Sequence, residues 1–556
     1  MTPVRLKKIF NRFLPHAPIA LIVFLGGVLR FLNLNWDRGY LFHPDEINVL
    51  TAIHNIQIPG QLDPKFYAYN GFPFYLDRLI LQVLQRITGD AGWVTSFSQM
   101  NLVARSVSAI FSTLTVALIY LLVKRLLDKN SALLSAALAA FTPALIQYAH
   151  YGVTESLMLF LLLGMVWASL RLFQNNSSGN WVLMSVFSGL AIGTKTTAVS
   201  FLIIPFLTWA LMIRKTEWRA AIIHGCAFVV QTGLIAFISS PYSVLNLTGF
   251  LASMNYEQGV ATGSFPVPYT MQFIGTVPYW FQFKNLLWQT SPLVAVVGIL
   301  GVTVGWYKSR DKVLIKKILP WLAFSVIYFI YVGRWLTKFD RYMLPVIPII
   351  IFGCAWAYFR LTRIKKFSLA ANWMAGVLLA VSILWTAAYM NVYIAPSTRI
   401  TASDWIYQNA PAGSVLLGEH WDYDLPVSRP SGNPGQYNLV VMKNYDPDTP
   451  QKVEDMASNL AEGDYLILGS RRLSGSIPRA PLQYPVTSKY YDKLFRGELG
   501  YQLVNVTAVY PQLGPWVIND DSTEETFQVY DHPVIKIFKN TGHLSREQLL
   551  QILENI

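Results

Sequence analysis

The sequence predicts an α-helical polytopic membrane protein with about eleven transmembrane helices and a small C-terminal α/β domain outside the membrane. Of its 556 residues, 53% are hydrophobic and only 13% are charged, and the mean hydropathy is +0.36. A soluble globular chain rarely has this composition. Basic clusters alternate with long apolar stretches as far as residue 394, which is typical of a chain that crosses a bilayer repeatedly.

The charge is divided unevenly along the chain. The formal net charge is +13, yet residues 395–556, here called the tail, contain 13 Lys and Arg against 19 Asp and Glu. The positive excess of residues 1–394 lies in short runs between apolar segments. It therefore indicates cytoplasmic loops rather than a nucleic-acid-binding surface. Cys226 and Cys354 both lie in apolar runs, which favours buried thiols over a disulfide.

Five basic clusters set the predicted topology: 5–12, 124–129, 214–219, 308–317 and 360–366. If each cluster is cytoplasmic, every stretch between two clusters crosses the membrane an even number of times. At about 20 residues per span, two crossings fit residues 13–123, four fit 131–213, two fit 220–307 and two fit 318–359. A last span over 369–393 then places the tail outside.

This topology predicts outer loops at about 34–98 and 241–285 and makes residues 1–394 the membrane domain. No small-x-small cleavage signal follows the apolar run at 19–32, so we expect an uncleaved first helix and a cytoplasmic N-terminus. In the tail, residues 401–409 predict a helix. Short apolar runs at 415–417, 465–468, 503–509 and 534–538 predict strands of an extracytoplasmic α/β domain.

The candidate chemistry begins with Phe42-His43-Pro44-Asp45-Glu46, which opens the first outer loop. Adjacent carboxylates at a membrane surface suit acid–base work, because one can take a proton from an acceptor while the other orients it. The alternative is structural: a proline-initiated helix whose acidic first turn is stabilised by the helix dipole. Other ionisable residues at the same depth favour the first interpretation.

The predicted spans place these residues near the outer face: Arg105 in the second helix, Glu155 in the fourth, Lys195 in the fifth and Arg341 in the turn between the ninth and tenth. Charges in a membrane are costly, so each needs a reason. Any one of them could be an interfacial side chain that reaches water. Their convergence predicts a site in which cations neutralise a phosphate leaving group beside two carboxylates.

The motifs that carry a family resemblance are Val28–Leu34, His43–Glu46, Gly193-Thr194-Lys195 and Phe339-Asp340-Arg341-Tyr342 with Pro345 and Pro348. With tail segments such as Glu419-His420-Trp421-Asp422, they resemble the type C (GT-C) glycosyltransferases. The similarity is to the bacterial relatives of protein O-mannosyltransferases and of the lipid A aminoarabinose transferase.

The resemblance implies a GT-C fold, a polyprenyl-phosphate sugar as donor and inversion at the anomeric carbon. By position in the motif, Asp45 would be the catalytic base, with Glu46 beside it and His43 in the binding site. Arg105, Lys195 and Arg341 would contact the donor phosphate. Relatives often carry Asp where this chain has Glu155, a further expected binding residue. The hexose or pentose transferred and the glycan, lipid or protein acceptor stay open.

No cofactor other than the lipid-linked donor is predicted, and no metal site, because His43, His420 and Asp422 lack tight ligand spacing. A divalent ion stays an open alternative. Tyr67, Tyr69 and Trp280 are expected in the interfacial belt, with stacking on a sugar as the alternative.

Two other function classes also stay open. A transporter would line a path across the bilayer with charges, and a non-catalytic glycan-assembly protein would use the tail for recognition. The expected location is the cytoplasmic membrane of the cell envelope, with the bilayer, the donor and the acceptor as partners and no nucleic acid.

Overall fold

The computed structural model describes residues 14–213 and 218–554. The basic cluster at 5–12, and with it the predicted cytoplasmic N-terminus, lies outside the described residues. The same holds for positions 214–217 of the cluster at 214–219. The topology inferred from these two clusters therefore stays a prediction.

Helices make up most of the chain before residue 395. The α-helices there are Ala17–Phe31, Pro44–Asn55, Gly71–Thr88, Gly92–Thr95, Phe97–Leu126, Lys129–Ala140, Pro143–Gln147, Glu155–Gln174, Ser178–Thr194, Ile203–Met212, Trp218–Ser239, Tyr242–Leu245, Leu247–Thr262, Trp280–Thr290, Pro292–Lys308, Lys312–Gly333, Ile347–Thr362, Ser368–Tyr389 and Asn391–Ile394. Short 3-10 helices are Leu14–His16, Thr196–Leu202, Pro268–Phe273, Asp340–Val346 and Lys365–Phe367.

In the described ranges, six helical segments are long and apolar enough to cross a membrane: Phe97–Leu126, Glu155–Gln174, Trp218–Ser239, Lys312–Gly333, Asp340–Thr362 and Lys365–Ile394. The pair Trp280–Thr290 and Pro292–Lys308 qualifies together but is bent by 116°. Shorter apolar helices are Ala17–Phe31 and Thr196–Met212. The chain is thus a multi-pass membrane protein. The total of about eleven crossings stays a prediction, because several expected spans are short or broken helices.

A break in the membrane part shapes the interior. The helix Lys129–Ala140 ends before Pro143, whose ring prevents an uninterrupted helix. The following turn, from residue 148 to residue 154, is buried and leads into the helix Glu155–Gln174. This turn brings Tyr148, His150 and Tyr151 into contact with residues from distant parts of the chain.

The tail contains a five-stranded sheet and a two-stranded ribbon. The strands are β1 Val415–Glu419, β2 Asn438–Met442, β3 Tyr465–Leu468, β4 Tyr501–Thr507, β5 Gln512–Leu513, β6 Trp516–Val517 and β7 Ile535–Asn540. The larger sheet has the order β2-β1-β3-β7-β4, and β5 pairs with β6. In the sheet, β1 pairs in parallel with β2 and β3, and β7 is antiparallel to β3 and β4. The helices are Thr398–Asn409, Pro450–Glu462, Pro485–Phe495 and Arg546–Glu554.

One hydrophobic core joins the tail to the membrane helices, since buried residues of both parts belong to the same cluster. Polar contacts reinforce the junction. Asp531 Oδ2 accepts hydrogen bonds from the hydroxyls of Tyr151, at 2.7 Å, and Tyr393, at 2.9 Å. His532 lies between Asp531 and Asp520, with Nε2 2.7 Å from Asp520 Oδ2. Asp520 and the segment 523–532 are therefore part of the interior of the whole molecule.

Candidate active site

Asp45 lies at the start of the helix Pro44–Asn55, where Pro44 occupies the first turn and His43 is the N-cap. The Nδ1 of His43 accepts a hydrogen bond from the Asp45 backbone N–H at 3.2 Å. The carboxylate is 25% exposed. Its Oδ2 accepts from Arg341 Nη1 at 2.7 Å and from the Tyr69 hydroxyl at 3.2 Å. Both contacts fall on Oδ2, so within the described residues Oδ1 has no hydrogen-bond donor.

The surroundings keep Asp45 ionised. Burial disfavours the charged form, but the positive charge of Arg341 and its hydrogen bond outweigh it and lower the pKa of Asp45 to about 2. The result is a negatively charged, partly exposed carboxylate at neutral pH. Such a group can accept a proton from a bound molecule.

Glu46 has a different environment from its neighbour. Its side chain is fully buried. Arg105 donates to it from Nε at 2.8 Å and from Nη2 at 2.6 Å, and the Gly152 backbone N–H donates at 2.6 Å. The same guanidinium donates to Asp37 at 2.7 and 3.0 Å. Glu46, Arg105 and Asp37 thus form a closed, buried ion cluster.

This cluster bears on the predicted contact between Arg105 and the donor phosphate. Arg105 is only 1% exposed, and two carboxylates share its charge. A donor phosphate would have to displace one of them to reach it. The contact between Arg105 and the donor phosphate stays a prediction, and the surroundings of Arg105 favour a role in holding Glu46 and Asp37.

Arg341 is the second residue of the 3-10 helix Asp340–Val346, which leads directly into the helix Ile347–Thr362. Its side chain is 23% exposed. The guanidinium carbon lies 5.0 Å from the centre of the Phe339 ring. Its Nε is buried and has no hydrogen-bond partner in the described part of the chain. An unused buried donor beside a carboxylate suggests that Arg341 has capacity for an anionic ligand.

Lys195 and Glu155 form a second ion pair beside the first. Lys195 stands at the break between Ser178–Thr194 and the 3-10 helix Thr196–Leu202, where its backbone is extended. Its Nζ lies 3.0 Å from Glu155 Oε1 and 4.7 Å from the centre of the Tyr69 ring. Tyr69 therefore contacts both Asp45 and Lys195. The two ion pairs form one cluster, which is here called the Asp45 site.

His43 lies behind the Asp45 site rather than in it. It is 2% exposed, and its ring stacks on Tyr530 of the tail at 3.8 Å between centroids. Burial lowers the pKa of His43. The negative charges of Asp45 and Glu46 act in the opposite direction, but burial has the larger effect. A neutral ring with Nδ1 as acceptor fits its contact with the Asp45 backbone. Its predicted substrate contact stays a prediction.

The tail supports Arg341 from the other side. Thr526 Oγ1 donates to Asp340 Oδ1 at 2.9 Å, and the Asp340 backbone N–H donates to Glu524 Oε2 at 3.2 Å. Burial, with the nearby Asp340, raises the pKa of Glu524 to about 8. These contacts fix the backbone immediately before Arg341. Sequence reasoning missed them, because nothing in a polar stretch such as 519–526 indicates insertion into a helical core.

A further carboxylate near the Asp45 site was also missed. Glu257, on the outer-loop helix Leu247–Thr262, is close enough for Arg341 and Lys195 to lower its pKa and for Asp45 to raise it. Partial desolvation is the largest influence and leaves its pKa raised. The only sequence signal was an acidic residue on an otherwise weakly charged outer loop.

A cavity of about 210 Å³ lies between the start of the helix Pro44–Asn55 and the tail, beside the residues that flank Asp45. Its lining includes Pro44, Ile47, Trp421, Arg472 and Tyr530. Trp421 is 40% exposed and Tyr530 stacks on His43. Within the described residues no cluster of three or more His, Cys, Asp or Glu side chains could hold a metal ion.

The comparisons with known proteins agree with this fold. Residues 92–241 match the family described as dolichyl-phosphate-mannose-protein mannosyltransferase. No curated protein matches the chain. The solved archaeal oligosaccharyltransferase AglB from Archaeoglobus fulgidus, in complex with an inhibitory peptide and a dolichol-phosphate, has a TM-score of 0.55 at 14% identity. The match covers 92% of this chain and 75% of that one.

An apo form of the Archaeoglobus fulgidus oligosaccharyltransferase has a TM-score of 0.52 at 14% identity, covering 96% of this chain and 89% of that chain. ArnT from Cupriavidus metallidurans bound to undecaprenyl phosphate has a TM-score of 0.49 at 13% identity, covering 93% and 97%.

The chain is thus a membrane-embedded helical protein with the GT-C fold. More particularly, its segment 92–241 is similar to the dolichyl-phosphate-mannose-protein mannosyltransferases, and the resemblance to type C glycosyltransferases seen in the sequence is confirmed.

Proposed function

We propose that this protein is an inverting glycosyltransferase that moves a sugar from a polyprenyl-phosphate carrier to a hydroxyl or amine acceptor at the outer face of the cytoplasmic membrane. The observation that carries the proposal is the Asp45 site. In the part of the chain that the structure describes, an ionised carboxylate with one oxygen free of hydrogen-bond donors lies beside two cations. The GT-C fold supports this assignment, because a protein of similar architecture was solved in complex with a dolichol-phosphate.

In the proposed reaction, Asp45 is the general base. The acceptor oxygen or nitrogen attacks the anomeric carbon as Oδ1 of Asp45 takes its proton. The bond between that carbon and the phosphate oxygen breaks, and its electron pair leaves with the polyprenyl phosphate. Attack opposite the leaving group inverts the configuration at carbon. Atoms and charges balance, with the proton on Asp45 and the added negative charge on the phosphate.

Arg341 and Lys195 are the proposed phosphate partners. Both are cationic and partly exposed, and Arg341 has an unused Nε donor. Negative charge develops on the leaving phosphate in the transition state. Charge-assisted hydrogen bonds from such groups therefore stabilise the transition state more than the bound donor. A phosphate that engages Arg341 would also weaken its hold on Asp45. The pKa of Asp45 would then rise and make the carboxylate a stronger base.

The cavity next to the site supplies the proposed acceptor entrance. It opens from Pro44 and Ile47 toward Trp421 and Arg472 of the tail. In its lining the Arg472 guanidinium lies 5.9 Å from the centre of the Tyr530 ring. An aromatic ring close to a guanidinium suits a ligand with both apolar and polar faces, such as a sugar ring.

The decisive experiment is transfer by the purified full-length protein. A panel of polyprenyl-phosphate sugars is supplied with cell-envelope acceptors, and mass spectrometry measures the release of polyprenyl phosphate. We expect one donor to be consumed. Asp45→Asn should slow release by roughly 10²- to 10⁴-fold while donor binding is retained. Asp90→Asn, at an exposed carboxylate of the same outer loop, is the matched control. Equal rates in both variants would contradict the proposal.

A further inference from the structure

A second cavity, of about 310 Å³, lies between the outer-loop segment around Gln272 and the tail. Three cationic side chains line it: Lys284 on the helix Trp280–Thr290, and Arg471 and Arg479 of the tail. It is separate from the Asp45 site, which uses Arg341 and Lys195. Three cations around one cavity repel each other, so their convergence needs a reason.

None of these three cations forms an ion pair with a carboxylate in residues 14–213 and 218–554. Lys284 donates to the Ser522 carbonyl. Arg471 donates to the Thr523 carbonyl at 3.0 Å and to its hydroxyl at 3.1 Å. Arg479 reaches the Ile274 carbonyl at 3.4 Å. The protein supplies dipoles that hold the three side chains and offsets their charge only in part, through the attraction between Asp521 and Arg471.

Two carboxylates also line the cavity, and both are engaged elsewhere. Glu525 accepts from Arg472 Nε at 2.7 Å. Asp521 accepts from the Tyr510 hydroxyl at 3.1 Å and from the Asn519 side-chain amide at 3.0 Å. Arg472 neutralises Glu525, whereas Asp521 has only neutral hydrogen-bond donors and keeps its charge. Three cations against this one carboxylate still leave the cavity positive. An anion bound there would relieve the repulsion among the cations.

The surroundings of this cavity have the composition of a membrane–water interface. The helix Trp280–Thr290 turns by 116° into the apolar helix Pro292–Lys308, so it runs across the direction of that helix. Val277 and Trp280, just before Lys284, are each 63% exposed. Exposed apolar side chains with a tryptophan next to a charged cavity are typical of a membrane–water interface.

We infer that the cavity of Lys284, Arg471 and Arg479 binds the phosphate group of an anionic lipid or of a phosphate-bearing acceptor. Guanidinium groups match the oxygens of a phosphate with paired N–H donors, and a lysine adds a mobile point charge. Glu524 lies between the two sites, since it accepts from Gln272 Nε2 at 2.8 Å and from the Asp340 backbone. The inference concerns a second phosphate and goes beyond the proposed reaction.

The test is a binding measurement on the full-length protein in nanodiscs of neutral lipid. Phosphatidylglycerol is the lipid probe, and glycerol 1-phosphate is the soluble probe. The test variant combines Lys284→Gln, Arg471→Gln and Arg479→Gln. A matched control combines Lys493→Gln, Arg496→Gln and Arg546→Gln, which remove the same charge from surface ion pairs of the tail.

We expect the cavity variant to bind phosphatidylglycerol at least about tenfold more weakly than the control, because each lost charge-assisted bond is worth about that factor. If glycerol 1-phosphate binds and phosphatidylglycerol does not, and the cavity variant loses this binding, the site is supported and its ligand is a soluble phosphate. Equal binding of both probes by the two triple variants would overturn the inference.

Two features keep the test interpretable. Arg479 is exposed, so Arg479→Gln alone should fold and still weaken binding in the same direction. The measurement also needs no sugar transfer. A negative binding result would therefore not affect the conclusion drawn from Asp45→Asn. A negative result with Asp45→Asn would likewise not affect the conclusion about this cavity.

Discussion

The Nη1 of Arg341 lies 2.7 Å from Oδ2 of Asp45, although the two residues are 296 positions apart in the chain. This ion pair connects the first outer loop to the turn before the helix Ile347–Thr362. It places the candidate base and a candidate phosphate partner in direct contact, so a change in one must alter the other.

Replacing Arg341 should therefore change the pH dependence of transfer. The native pKa of Asp45 is about 2, so the carboxylate stays ionised down to strongly acidic pH. In Arg341→Gln the largest opposing influence is lost and burial raises that pKa. We expect the acidic limb of kcat/KM to move to higher pH than in the native protein. Arg334→Gln, an exposed cation of the same turn, is the control. Superimposable profiles would refute the coupling.

Glu46 and Arg105 should matter chiefly for stability. Arg105→Ala leaves Asp37 and Glu46 buried without a counter-charge, which costs on the order of 3 to 5 kcal/mol. Glu46→Gln should also lower the midpoint of thermal unfolding, followed by tryptophan fluorescence in detergent. Asp45→Asn, at a partly exposed residue, should lower it less. If Glu46→Gln unfolds like the native protein yet loses as much transfer as Asp45→Asn, the two carboxylates act together in the chemistry.

His532 predicts a stability difference at alkaline pH. Burial opposes its charge, but Asp531 and Asp520 raise its pKa from 6.5 to about 10. A pKa raised on folding stabilises the protein fully below the unfolded value, and that contribution is lost as the pH rises through the folded value. The advantage of the native protein over His532→Gln should thus be greatest below about pH 6.5 and shrink toward pH 10. A constant difference would rule out this origin.

The predicted topology can be tested with single cysteines. Thr95, in the first outer loop, and Leu482, fully exposed in the tail, should both react with a membrane-impermeant thiol reagent in intact cells when changed to cysteine. Arg310→Cys, between Pro292–Lys308 and Lys312–Gly333, should react only after permeabilisation. Background labelling is removed by Cys226→Ser. Labelling of Arg310→Cys in intact cells would contradict the alternation of basic clusters.

The sequence predicts how deep a residue lies in the membrane better than it predicts which side chains that residue contacts. The apolar segments and basic clusters predicted the same membrane depth for four residues: Asp45, Glu155, Lys195 and Arg341. The structure places these four side chains in one cluster. The pairing of Arg105 with Glu46 could not be derived, because hydropathy gives the level of a residue in the membrane and not its neighbours across other helices.

The tail shows the same limit. The runs at 415–417 and 465–468 overlap β1 and β3, since buried parallel strands are nearly continuous apolar segments. The strand Asn438–Met442 was missed because it is an edge strand with most residues exposed. The buried segment at 523–532 was missed for the opposite reason, since its polar side chains find their partners only in the tertiary fold.

The contact of Thr526 with Asp340 has a consequence for how the protein is made. In the predicted topology, a chain that is still being synthesised would present Asp45 to the outer face hundreds of residues before Thr526 leaves the ribosome. The support behind Arg341 would then form only after the last span is inserted and the tail is translocated. A half-made chain would thus hold the base without a finished site, and sugar transfer would begin only after biogenesis is complete.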